Sequence, residues 1–141
     1  MIRKYRDTDL DDLLAVWYSA SQIGHSFLTE EFFAKERKNI ANQYLPNSET
    51  WIYEQDGKVV AFIAMLEDEV GGLFVGSDYQ RSGIGKALID YVRSSREFLE
   101  LNVFEENLIG RRFYEKNGFR KIGRRVDRET GRIQHRLRLK C

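Results

Sequence analysis

Cysteine is almost missing from these 141 residues, the only one being Cys141. No internal disulfide and no cysteine metal cluster can form, and a thiol nucleophile there would lack a formed pocket. Histidine is nearly as scarce. His25 and His135 stand far apart and are too few to suggest a metal site. No apolar run approaches the roughly 20 residues of a membrane span. The N-terminal Met-Ile-Arg-Lys-Tyr-Arg-Asp leads into an amphipathic pattern and not into the apolar region of a signal peptide. A cytoplasmic protein without a membrane partner is expected. Internal repeats, linkers and low-complexity segments are also lacking, so residues 1–141 are expected to form one domain. A composition of 42% apolar and 13% aromatic residues supplies its core.

The net charge is only +1, but the two signs are unevenly spread. Residues 1–110 carry 11 basic and 19 acidic side chains, whereas residues 111–141 carry 12 and 3. Solvated faces of opposite sign account for this as well as an acidic substrate side beside a basic side suited to an anion does. The basic third falls on strand and turn positions without a groove-reading motif, so nucleic acid is not an expected partner.

In chain order, residues 2–5 suggest a short strand, and Thr8 to Asp11 has the form of a capping box opening a first helix. Leu10, Leu13, Leu14, Trp17 and Tyr18 give that helix an apolar stripe. Residues 19–28 are expected as a connection containing Gly24-His25-Ser26-Phe27-Leu28. Thr29 can cap a second helix that ends by Leu45, before the single Pro46. Residues 51–54 and 59–65 then alternate as strands around Asp56-Gly57, a strong hairpin signal. Residues 70–75 return as a strand, 98–104 form another, Asn107 starts a last helix stopped at Asn117-Gly118, and 119–127 with 133–139 close as a hairpin.

The organising stretch is residues 73–88. Leu73, Phe74 and Val75 suit a buried strand, and Ile84, Ala87, Leu88, Tyr91 and Val92 keep helical spacing, so a helix opens near Ser82 or Gly83. Gly83 and Gly85 lack Cβ atoms, which lets N–H groups converge on an anion favoured by the helix dipole. A P-loop would need glycine at Gln80 and a hydroxyl at Ala87, and a dinucleotide fingerprint would need glycine at Leu88. Nucleotide hydrolysis and NAD binding are both disfavoured.

The pattern Gln80-x-x-Gly83-x-Gly85 after a strand resembles the acetyl-CoA pyrophosphate loop of the GNAT N-acetyltransferase superfamily. Asn107 followed by Phe113-Tyr114-Glu-Lys-Asn-Gly118-Phe119 is similar to a second motif of that family. The element order agrees over nearly the whole chain. Gly24 to Leu28 with Trp51 also looks like a subgroup of small bacterial acetyltransferases carrying Gly/Ala-His-Pro-Phe-Ile, although Ser26 replaces the proline. The resemblance implies a mixed α/β GNAT fold. Its central sheet would be mostly antiparallel, with about seven strands, about four flanking helices and one splayed strand pair.

The resemblance also implies acetyl-CoA as co-substrate, no metal, and transfer to a primary amine of a protein or a small molecule in a ternary complex, by a monomer or homodimer. Cofactor contacts would come from Leu73, Val75, Gln80, Arg81, Ser82, Gly83, Ile84, Gly85, Lys86, Asn107 and Tyr114. Tyr114 matches the tyrosine that protonates the departing thiolate, and Glu69, eleven positions before Gln80, matches the family's glutamate base. On a regular strand Glu69 would share a face with Gly71, Leu73 and Val75. Asp68 or Glu67 acting through water is the alternative base. His25 and Phe27 would line the acceptor pocket, although His25 can equally serve only to close a loop. A catalytically silent acyl-CoA sensor remains the alternative to an enzyme.

Overall fold

The computed structural model describes residues 1–141. Seven strands form one sheet in the order β1-β2-β3-β4-β5-β7-β6. They are β1 (Ile2–Lys4), β2 (Glu49–Gln55), β3 (Lys58–Leu66), β4 (Glu69–Val75), β5 (Phe98–Phe104), β6 (Arg120–Val126) and β7 (Ile133–Lys140). Asp56 and Gly57, both at positive φ, turn β2 into β3, as the Asp-Gly signal predicts. No helix is long and apolar enough to cross a membrane.

Four helices cover the two faces. On one side lie α1 (Leu10–Gly24) and α2 (Glu30–Asn39), which pack Leu13, Trp17 and Phe33 against Ile52 and Phe62. On the other side α3 (Ile84–Arg93) and α4 (Leu108–Lys116) flank a second core, in which Ile84, Leu88 and Val92 meet Ile63, Leu99, Leu101 and Leu137. The sheet is mixed because α3 is the crossover between β4 and β5, the one parallel pair.

Two helix boundaries differ from the sequence expectation. The acid that stops the first helix from fraying is Asp9, not Asp11: its Oδ2 accepts from Arg6 N at 2.9 Å, and Arg3 donates to both its oxygens. That guanidinium holds the buried Asp9 carboxyl below the usual carboxylate range. The helix also continues through residues 19–24, because Ser19 satisfies its hydroxyl on Val16 O and so does not break the turn. Thr29 caps α2 as expected, accepting from Phe32 N at 3.1 Å. The chain then passes through a π-helical turn, and Pro46 sits inside the short 3-10 turn that follows.

Candidate active site

β4 and β5 touch through a single rung, Glu69 opposite Glu100, backed by Glu100 N donating to Asp68 O at 3.0 Å. Both strands continue past it, β4 to Val75 and β5 to Phe104. Each therefore leaves backbone groups without a sheet partner on its inner edge, along a wedge roughly 20 Å long. The wedge is closed at Glu69 and open at Val75 and Phe104.

On the α3 side the open end meets the glycine loop. Gly83 caps α3 at φ +84° with nothing near the position a Cβ would take, and Arg81 is also at positive φ. Ser82, Gly83 and Lys86 are exposed around the start of the helix. Ser82 donates to Tyr79 O, and Gln80 Nε2 donates to Val75 O at 3.1 Å, which fastens the loop to the end of β4. Gly85 is different. It is buried, and a Cβ there would come within 2.9 Å of the Phe113 ring, so its glycine serves helix packing more than anion access.

Tyr114 lies against Phe113 and Phe119, at ring separations of 5.3 and 5.2 Å, and joins the α3-side core with Leu73 and Val75. Its burial pushes the phenol above its ordinary value, so it stays protonated at neutral pH. Asn107 caps α4 through Oδ1, which accepts from Gly110 N at 2.9 Å. That leaves its Nδ2 to donate to His25 Nε2 at 3.4 Å.

His25 thus belongs to the α1 side. Its ring lies 5.3 Å from Phe104, 6.0 Å from Phe27 and 6.3 Å from Phe74, so it spans the open end between β4 and β5. Burial among these rings lowers its pKa to about 4, and the neutral imidazole accepts at Nε2. Phe27 packs on Phe104 at 5.5 Å, and Arg132 of the β6–β7 connection donates to Phe27 O and lies over its ring.

Glu69 also faces the α1 side, and here the expectation of a regular strand needs correction. Ala64 pairs with Gly72 but Met65 pairs with Val70, so Gly71 is an extra residue, a bulge that reverses the alternation. Val70, Leu73 and Val75 all pack on the α3-side core, and Glu69 turns the other way to meet Arg136. Both of its oxygens are engaged, at 2.7 and 2.5 Å. Arg136 also bonds Glu100 at 2.9 Å, and Arg138 bonds the other Glu100 oxygen.

Glu67 and Asp68 form the turn at the closed end, where Arg96 donates to Glu67 O and approaches Asp68. They lie at the same closed end as Glu69, away from the open end. Phe74, Phe104, Arg136 and Asn102 complete the α1 side, and the sequence reading passed over all four. For Asn102 and Arg136 the one signal was a polar residue alternating with apolar ones, which resembles a solvent face, whereas Phe74 and Phe104 suit a buried strand and carry no sign of a site. No group of three or more histidine, cysteine or acidic side chains is disposed to hold a metal.

Residues 46–121 match the family model described as "Acetyltransferase (GNAT) domain". The peptidyl-lysine N-acetyltransferase YiaC of Escherichia coli is 32% identical over 120 residues, covering 84% of this chain and 82% of that protein. The solution structure of apo YjaB from Escherichia coli superposes with a TM-score of 0.86 at 26% identity, over 98% of this chain and 95% of that one. The PaiA N-acetyltransferase of Thermoplasma acidophilum, solved with coenzyme A, gives a TM-score of 0.79 at 18% identity, covering 100% and 98%. That last likeness speaks for the fold.

Proposed function

Since the chain belongs to the GNAT family of N-acetyltransferases, we propose that it moves the acetyl group of acetyl-CoA directly to the side-chain amine of a polypeptide lysine. The observation that carries this reading is the wedge between β4 and β5, open to the α3 side at Tyr114 and to the α1 side at His25. The choice of lysine rests on the relatives, YiaC and YjaB, which are named peptidyl-lysine N-acetyltransferases.

The pyrophosphate is assigned to the N–H groups of Ser82, Gly83 and Ile84 at the start of α3, with Arg81 adding positive charge and Lys86, paired to Asp90 at 2.6 Å, at the same end. Leu73 and Val75 supply the inner edge of β4, whose free backbone donors polarise the acetyl carbonyl. Such donors are worth on the order of 3 kcal/mol each in a transition state. The amine enters from the α1 side past His25 and Phe27. The nitrogen bonds the acetyl carbon, the carbon–sulfur bond breaks, and the sulfur takes the Tyr114 hydroxyl proton, which solvent replaces.

Lysine has a pKa of about 10, so its ammonium must lose a proton before attack. Glu69 is on the correct face for this but is tied to Arg136, so its part is to accept the proton through solvent at the closed end. A coupled free-thiol assay with lysine peptides, polyamines and small amines, followed by mass measurement of the products, tests the reading. Acetyl-CoA-dependent mass gain on lysine is expected. Binding of acetyl-CoA without turnover on any amine would leave a silent acyl-CoA sensor instead.

A further inference from the structure

Asn102 lies on the α1 side of the wedge but makes none of the contacts described there. It stands opposite Arg136 in the β5–β7 ladder, two residues beyond the single rung that joins β4 to β5. Leu101 and Val103 are buried in the α3-side core, so alternation turns Asn102 to the α1 side together with Glu100 and Phe104. Its Oδ1 is closed off from solvent and has no hydrogen-bond partner. Buried polar atoms nearly always find a partner, because one left without loses its hydration for nothing. This unmatched carbonyl belongs to the strand that borders the wedge, two residues past the rung that closes it.

Its surroundings define what would match it. Toward the closed end, Glu69 and Glu100 are balanced by Arg136 and Arg138, so the pocket does not call for a cation. Toward the open end stand the rings of His25, Phe27, Phe74 and Phe104. The fitting group is a neutral N–H donor carried on an apolar stem.

Resting on the acetyltransferase reading above, we propose that Asn102 positions the acceptor nitrogen, its side-chain carbonyl accepting one N–H of a neutral primary amine. The lone pair is then free to face the acetyl carbon. One N–H stays on Asn102, the other proton leaves nitrogen for solvent on the α1 side, the nitrogen–carbon bond forms, and sulfur leaves with the proton from Tyr114. A secondary amine has one N–H and cannot both hold Asn102 and shed a proton. The site therefore selects primary over N-methylated amines.

The test uses the full chain with Asn102→Leu and Asn102→Asp, a lysine peptide and its Nε-monomethyl counterpart, and calorimetry for acetyl-CoA. Asn102→Leu is expected to lower kcat/KM for the lysine peptide about tenfold to a hundredfold. The preference over the methylated peptide should narrow, with acetyl-CoA affinity unchanged and Tm no lower than wild type. Asn102→Asp keeps an acceptor and loses a donor, so it should retain most activity; if the leucine variant does not fold, it and Asn102→Ala carry the comparison. Unchanged lysine kinetics in folded Asn102→Leu would overturn the proposal, as would equal losses in the aspartate variant or a parallel loss of acetyl-CoA affinity. A wild-type protein that acetylates no amine would instead overturn the reading of function on which the proposal rests.

Discussion

The two sides of the β4–β5 wedge are built in different ways. The α3 side comes from two continuous stretches, the strand end, loop and helix at residues 73–93 and the cap with its helix at 107–119, and offers backbone donors and one phenol. The α1 side gathers His25, Phe27, Glu69, Phe74, Asn102, Phe104, Arg132 and Arg136 from four separate segments. A cofactor shared by a whole family can be held by local turn and helix geometry. An acceptor particular to one protein is met by side chains that only the tertiary fold brings together.

Four experiments sharpen or break this contrast. Tyr114→Phe takes one hydroxyl from the α3 side and should lower kcat roughly 10 to 10³ fold with acetyl-CoA affinity nearly unchanged. Wild-type turnover by that variant would reduce Tyr114 to a packing residue.

The next effect belongs to the α1 side alone. His25 is neutral when folded, with its pKa lowered to about 4, and takes up a proton near pH 6.5 when unfolded. The unfolded state therefore binds more protons below pH 6.5, and stability falls as pH drops from there toward 4, by up to about 3 kcal/mol. His25→Gln should show a visibly flatter decline in denaturant midpoint over that window. An identical decline in both proteins would mean that His25 titrates normally.

Gly83→Glu should weaken acetyl-CoA binding about tenfold, more at low salt, by setting a carboxylate at the positive end of α3. Its backbone strain costs about 1 kcal/mol, and the side chain has open space. Equal affinity in calorimetry would break the loop assignment. Gly85 makes a poorer probe, because a Cβ there strikes Phe113 and disturbs packing as well.

The smallest effect is expected from Glu69→Gln. It should reduce kcat/KM severalfold near pH 7 and recover as pH approaches the amine pKa of about 10. A profile parallel to wild type would confine Glu69 to its ion pair with Arg136.

What the sequence showed follows the same division. The strand–loop–helix at residues 73–93, the cap at Asn107 and the Asp56-Gly57 hairpin were legible because each depends on neighbours a few residues apart. The orientation of Glu69 was not. One extra residue at Gly71 reverses it, and a bulge shows only in the pairing with β3. Asn102 alternates with Leu101 and Val103 as a solvent-facing residue would, and nothing in that alternation shows that its Oδ1 is closed off from solvent. The helical run of residues 19–24 was missed because Ser19 and Ser21 suggest a loop by propensity, whereas packing of Trp17 and Ala20 holds the helix.

The claim that acetyl-CoA and amine enter from opposite sides is tested most directly by titrating the isotope-labelled chain with each ligand alone and following backbone amide shifts. Acetyl-CoA should move the amides of Leu73, Val75, Gly83, Ile84 and Tyr114, and a lysine peptide those of His25, Phe27 and Asn102. Both ligands shifting the same set, or acetyl-CoA leaving Gly83 and Ile84 unmoved, would contradict the account.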